Sequence, residues 1–238
     1  MRIIPAIDII GGKCVRLVQG DYNLKKTYGK DPADMAKRFE DNGIVRLHIV
    51  DLDGARNKRV TNWRSLEKIA GSTSLIIDFG GGIKTDDDLQ IVFECGASMA
   101  VAGSIAVTDI ELFREWLLEY GSEKLILGAD VRDKKISVSA WQETTTLDLI
   151  PFLTDYSDMG VKQVICTDIA RDGMLSGPSV GMYQEIMEKV PSLKLIASGG
   201  VSSLDDIRDL EEKHVPAVII GKAIYEGKIK LNELRKFF

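Results

Sequence analysis

The feature that most limits what this chain can fold into is that it is written twice. Arg2 to Asp8 reads RIIPAID, an apolar run that ends in a carboxylate, and Leu125 to Asp130 reads LILGAD, the same design. Further landmarks keep nearly the same spacing. Asp8 answers to Asp130, Asp51 to Asp168, Gly81-Gly82-Ile83 to Gly199-Gly200-Val201 and Gly103 to Gly221, at offsets between 117 and 122 residues. Solenoid arrays repeat every ~20–50 residues, so one period this long indicates two homologous half-domains instead.

Each half reads as alternating strands and helices. Strands are expected at Arg2–Asp8, Val45–Asp51, Leu75–Asp78 and Ser98–Ala102, then at Lys124–Asp130, Gln163–Asp168, Leu193–Ala197 and Ala217–Ile220. Their continuous apolar character is that of a parallel sheet buried on both faces. Between them, Asp31-Pro32 supplies an N-cap and a first-turn proline for a helix ending near Asn42-Gly43. Further helices are read at Asn62–Ala70, Asp86–Glu94, Leu147–Asp158, Val180–Lys189 and Leu204–Lys213, with a short terminal one from Leu231. Lys13–Val18 reads as a short strand or hairpin arm, Gln19–Lys30 as a polar loop long enough to be a lid, and Ile136–Trp141 as an excursion. Eight βα units in 238 residues close most economically into a (β/α)8 barrel of the TIM type, a fold that typically takes about 250 residues. The expectation is one α/β domain over residues 1–238, made of half-barrels at about 1–120 and 121–238.

Composition narrows the partners. A net charge of -5 with the signs interspersed is no basis for nucleic-acid binding, and no apolar run approaches the ~18 residues of a membrane span. Three scattered cysteines, Cys14, Cys95 and Cys166, fit a reduced cytoplasmic chain with no metal cluster. No leader pattern is read, because Asp8 interrupts the first apolar run. A monomer without cofactor is expected. An anionic ligand would have to be held by local donors.

In a barrel of eight, strands one and five stand opposite each other, so the repeat places Asp8 and Asp130 face to face at the mouth. Two carboxylates in one pocket suit paired acid and base work. Gly199-Gly200 and Gly221-Lys222 follow strands seven and eight, where barrels commonly hold phosphate, and Gly81-Gly82 and Gly103-Ser104 repeat the arrangement. Glycine lets backbone N–H groups approach an anion with no Cβ in the way. Two symmetric pairs therefore imply two phosphates with the acids between them. His48, among Leu47, Ile49 and Val50, reads as a core residue, and His214 as a surface one. Thr167 ends strand six, and Trp141 could stack on a planar ring or pack the barrel top. Asp86-Asp87-Asp88 reads as helix N-terminal charge, not a metal site.

These residues resemble the ProFAR isomerase family of histidine biosynthesis, over essentially the whole chain. The likeness is carried by IPAIDIIGGKCVRLVQGDY, LHIVDLDGA, GGGI, VAGS, GADV, SAWQE, CTDIARDGMLSGP, ASGGV and IIGKAIYEGK. It implies a TIM barrel of two half-barrels and a cofactor-free Amadori rearrangement of an aminoaldose to an aminoketose. The implied substrate is a small molecule with a phosphate at each end and an imidazole carboxamide. Carried over by position, Asp8 is similar to the general base and Asp130 to the general acid, with Arg16, His48, Trp141, Thr167 and Asp172 at substrate-contacting positions. His48 thereby moves from core to site, and Gly177 joins Gly81, Gly82, Gly103, Ser104, Gly199, Gly200, Gly221 and Lys222 as phosphate-binding. Ala140, Lys84 and Met174 depart from the family's usual glycine, arginine and threonine, which bears on loop geometry. The related cyclase subunit of imidazole glycerol phosphate synthase shares the repeat and both acids, although AID and SAWQE fit the isomerase better. The residues also leave open a dual-substrate isomerase that takes phosphoribosyl anthranilate as well, and a module that binds a phosphorylated ligand without turnover.

Overall fold

The computed structural model describes residues 1–237. Eight strands form the barrel: β1 Arg2–Ile10, β2 Arg46–Asp51, β3 Ile76–Gly80, β4 Met99–Ala102, β5 Leu125–Arg132, β6 Gln163–Asp168, β7 Lys194–Ser198 and β8 Ala217–Ile220. Each pairs in parallel with its successor, and β1 pairs with β8 to close the ring. Because successive side chains point to opposite faces of a strand, two apolar layers result. Ile4, Ala6, Met99, Ile126, Ile165, Ile196, Ala217 and Ile219 form a cluster inside the barrel, while residues such as Leu47, Ile49, Ile77 and Phe79 belong to the larger core under the helices. Each fully buried side chain of this kind contributes roughly 1.5–3 kcal/mol.

Seven helices cover the barrel: α1 Pro32–Asp41, α2 Trp63–Ser72, α3 Asp86–Glu94, α4 Ile110–Tyr120, α5 Leu149–Met159, α6 Val180–Lys189 and α7 Leu204–Glu212, with α8 Leu231–Leu234 near the end. The twofold repeat extends to single hydrogen bonds. Thr85 and Asp88 form a capping box at the start of α3, and Ser203 and Asp206 form its counterpart on α7. A cap of this kind is worth about 1 kcal/mol. Asp88 thus serves the helix start, as the acidic run implies, and Asp86 accepts from Trp116 Nε1 at 2.6 Å.

Three expectations from the sequence change. Gln19–Lys30 is not a free loop, because Asp21–Gly29 pairs antiparallel with Lys13–Val18. Its exposed side chains give no apolar signal, and pinning comes from tertiary contacts: Tyr22 donates to the Leu52 carbonyl at 2.7 Å and Lys26 to Glu226 at 2.8 Å. The excursion after β5 is likewise a hairpin, Lys135–Val138 with Glu143–Asp148, which delays α5 to Leu149. Helix α4, which the sequence pattern did not reveal, starts at the Asp109 cap and buries Phe113, Trp116 and Leu117. Among the described residues no helix is long and apolar enough to cross a membrane.

Candidate active site

The C-terminal ends of the strands surround one cavity. Asp8, Arg16, His48, Asp130, Trp141, Thr167 and Asp172 all line it, as do Gly81, Gly82, Gly103, Ser104, Gly199, Gly200, Gly221 and Lys222. The parallel ladder brings each strand end to the same level, which is why residues far apart in sequence meet here.

The two acids sit at equivalent places with different neighbours. Asp8 accepts from Arg16 Nη1 at 2.8 Å, and Arg16 Nη2 donates to the Ala6 carbonyl at 2.6 Å. Arg16 comes from the hairpin after β1 and lies over the Tyr225 ring, 5.2 Å from its centroid. The guanidinium also fills the space beside Gly221, where an added Cβ would stand 2.3 Å from Arg16 Cζ. Asp130 instead accepts from Trp141 Nε1 at 2.7 Å, and the indole comes from the hairpin after β5. Burial pushes the Asp130 carboxyl above the usual range, against the opposing pull of hydrogen bonds from Trp141 and Thr167. Asp172 is pushed up to about 6, first by burial and then by the Asp8 and Asp130 charges, with Arg16 opposing. The Trp141 turn carries three consecutive left-handed residues, Ser139, Ala140 and Trp141, so Ala140 at φ 54° occupies a conformation that favours glycine. The indole packs on Gly20, whose Cβ would lie 2.6 Å from Trp141 Cε3.

At the rims, a Cβ on Gly81 would stand 2.3 Å from the Asp51 carbonyl oxygen, and one on Gly199 would stand 2.9 Å from that of Asp168. Both residues have positive φ, 101° and 96°. Glycine is required at each for close approach as well as conformation. Among the described residues, the N–H groups of Gly82, Gly103, Gly200 and Gly221 make no backbone hydrogen bond outside the regular elements. They are therefore available to an anion in the cavity. Gly177 departs from the expectation: its N–H donates to the Gly200 carbonyl at 3.0 Å and it does not line the cavity, so it buttresses the second glycine pair from behind. Lys222 lines the cavity while its Nζ donates to the Gly173 carbonyl at 2.7 Å, clamping the loop that carries Asp172. His214 is exposed.

Three residues outside the expected site set bear on it: Lys84, noted in the sequence only as a departure from a usual arginine, lines the cavity, and Tyr225 and Asp78 stand against residues that do. Lys84 Nζ donates to Ser104 Oγ at the first rim, and burial lowers its pKa. Tyr225 donates to the Ala6 carbonyl at 3.0 Å and forms the floor under Arg16. Asp78 stands behind His48, with Oδ1 2.5 Å from His48 Nδ1. Only Lys84 had a sequence signal, its place directly after GGGI. The remaining two reach the site by folding.

The fold and cavity define a (β/α)8 barrel of duplicated halves, with paired acids set between two glycine-rich rims. Residues 2–230 match the model of the family described as Histidine biosynthesis protein, and the chain belongs to that family. It is 61% identical to a Parabacteroides distasonis protein, over 100% of this chain and 99% of that one. A Phocaeicola vulgatus protein is 60% identical over the same shares, and a Flavobacterium johnsoniae protein 55%. All three are named as isomerases of an imidazole-4-carboxamide that bears one 5-phosphoribosyl group directly and a second as a 5-phosphoribosylamino group on a methylideneamino bridge.

Proposed function

We propose that this chain is the isomerase its relatives are named for, converting the aminoaldose of ProFAR into the corresponding aminoketose by an Amadori rearrangement in histidine biosynthesis. The observation that carries the reading is full-length identity to such isomerases, together with two acids at equivalent strand ends between two symmetric sets of open N–H groups. A compound with two phosphoribosyl groups has a phosphate at each end, and the two rims fit those ends. The isomerase name carried by these relatives favours this reading over the cyclase and over a binding module.

The rearrangement opens a furanose ring, which needs a proton delivered to the ring oxygen. It then needs a proton removed from C2, one delivered to C1 and the C2 hydroxyl proton released as the ketone forms; two protons are delivered and two removed, so the reaction is a net isomerisation. Asp130, its carboxyl pushed up by burial and sheltered by Trp141, suits the delivering role. Asp8, ion-paired to Arg16, suits the removing role. Rim phosphates hold the sugar in register with both acids, an entropic contribution to rate. Arg16, His48, Thr167 and Asp172 surround the reacting sugar, and Trp141 covers it.

The test is to incubate purified protein with ProFAR and follow absorbance. Conversion at an enzymatic rate is expected, without added cofactor or glutaminase partner. Folded protein that leaves ProFAR unchanged would remove this reading.

A further inference from the structure

At one level of the barrel interior the first half carries charged side chains where the second half carries none. Arg46, His48 and Asp78 point into the barrel from β2 and β3, and all three are buried. Arg46 Nε donates to Asp78 Oδ2 at 2.8 Å, and Asp78 Oδ1 meets His48 Nδ1 at 2.5 Å. At the repeat offsets of 117 and 118 residues, their counterparts are Gln163, Ile165 and Ile196. The homologous half therefore builds the same strands without any of these charges.

Stability does not explain the difference. Taking a charged set out of water costs several kcal/mol per ion, and apolar replacements are often neutral or stabilising. This set is also incompletely satisfied, since Arg46 Nη2 is buried with no partner among the described residues. The cluster does run to the reaction: His48 lines the cavity between β1 and β3, while its Nδ1 is engaged by Asp78. A carboxylate can only accept, and the proton of a neutral ring must then be on Nδ1.

Building on the proposed isomerase reading, we propose that Asp78 is a positioning residue which fixes the His48 proton on Nδ1, leaving Nε2 as an acceptor aimed at a hydroxyl of the sugar being rearranged. A lone pair at Nε2 welcomes a hydroxyl and repels a phosphate or carboxylate oxygen. His48 thus selects the sugar between the rims and fixes its rotation, while Arg46 holds the Asp78 carboxylate in place from below.

The chain has two histidines, so nitrogen NMR of the labelled wild type reads the ring directly, with exposed His214 as the internal reference. In its neutral form, His48 should carry its proton on Nδ1 with Nε2 bare. A proton on Nε2 would overturn the assignment. Asp78→Asn is close to isosteric, but Arg46 keeps the amide oxygen, so the amide nitrogen must face the ring and push the proton to Nε2. Its kcat should fall about 10- to 100-fold, with KM held within about threefold by the phosphates. The double variant Arg46→Gln with Asp78→Ile copies the second half, where that solution folds. It should keep its melting temperature and lose kcat to a similar degree. Wild-type kcat in both variants, with either tautomer, would sink the proposal. The ring measurement needs no substrate, so a wild type inert toward ProFAR counts against the isomerase reading, while an Nε2–H ring counts against this inference.

Discussion

The hairpin after β1 and the hairpin after β5 occupy equivalent places in the two halves, yet they treat their acids differently. The first sends a guanidinium to Asp8 at 2.8 Å, and the second sends an indole to Asp130 at 2.7 Å. A cation opposite a carboxylate favours the group that must accept a proton, whereas burial under an indole favours one that must give a proton up. Duplication supplied two acids in one mouth. Divergence of the hairpins made them unlike, and a reaction needing one base and one acid can use both. The capping boxes at the starts of α3 and α7, which only hold a frame, remained alike.

The strongest way to break this comparison is to remove each carboxylate in turn. Asp8→Asn and Asp130→Asn should each lower kcat by about 10² to 10⁴-fold, with phosphate-driven binding little changed, in steady-state assays on ProFAR. Solvent-deuterium exchange at the sugar C2 separates them. The Asp8 variant should lose exchange, and exchange at the wild-type rate would show that Asp8 is not the base.

The rims offer the next contrast. Gly103 has no atom within 4 Å of an added Cβ, whereas Gly221 has the Arg16 guanidinium at 2.3 Å. Gly103→Asp should therefore raise KM at least about tenfold through repulsion of phosphate, with kcat preserved. Gly221→Asp should raise KM and lower kcat together, because it also displaces Arg16 from Asp8. Equal kcat in the two variants would contradict the placement of Arg16. Gly81 is a poorer probe, since its Cβ would meet backbone and its φ is positive, so a loss there would mix binding with folding.

A smaller effect is expected at Asp172. Its carboxyl is raised to about 6 from an ordinary value of 3.8. A raised acid makes the folded state bind a proton more tightly than the unfolded one, so stability falls as pH rises through this window and the penalty is complete above about 6. Asp172→Asn should gain on the order of 1 kcal/mol at about pH 8 and nothing below about pH 4 in calorimetric melts. A gain independent of pH would mean that the carboxylate is not the strained group.

The finest test concerns the indole. Trp141→Phe keeps the cover but removes the Nε1 donor, whose bond lowers the Asp130 pKa. Without it that pKa rises further, so the acid stays protonated to higher pH and the alkaline limb of kcat/KM should move upward. The acidic limb should stay in place. An unmoved alkaline limb would deny Asp130 the acid role.

The strands, glycine pairs and terminal acids were legible in the sequence because each is a local demand: apolar runs for a buried sheet, glycine where φ is positive, and a carboxylate at a strand end. The repeat then supplied closure and the opposition of Asp8 and Asp130 from offset alone. Four features lay beyond reach of the sequence. Asp21–Gly29 is a strand because Tyr22 and Lys26 dock on distant elements, and its exposed side chains give no periodic signal. Gly177 lies behind its rim instead of on it, since its N–H is consumed by Gly200. Tyr225 reaches Arg16 only because β8 closes on β1. His48 read as core from its apolar neighbours and joined the site only through the family resemblance, and its link to Asp78, 30 residues away, exists only through the register of adjacent strands. A segment's local needs are written in its own residues, whereas partners brought together by strand register and ring closure are decided by the fold.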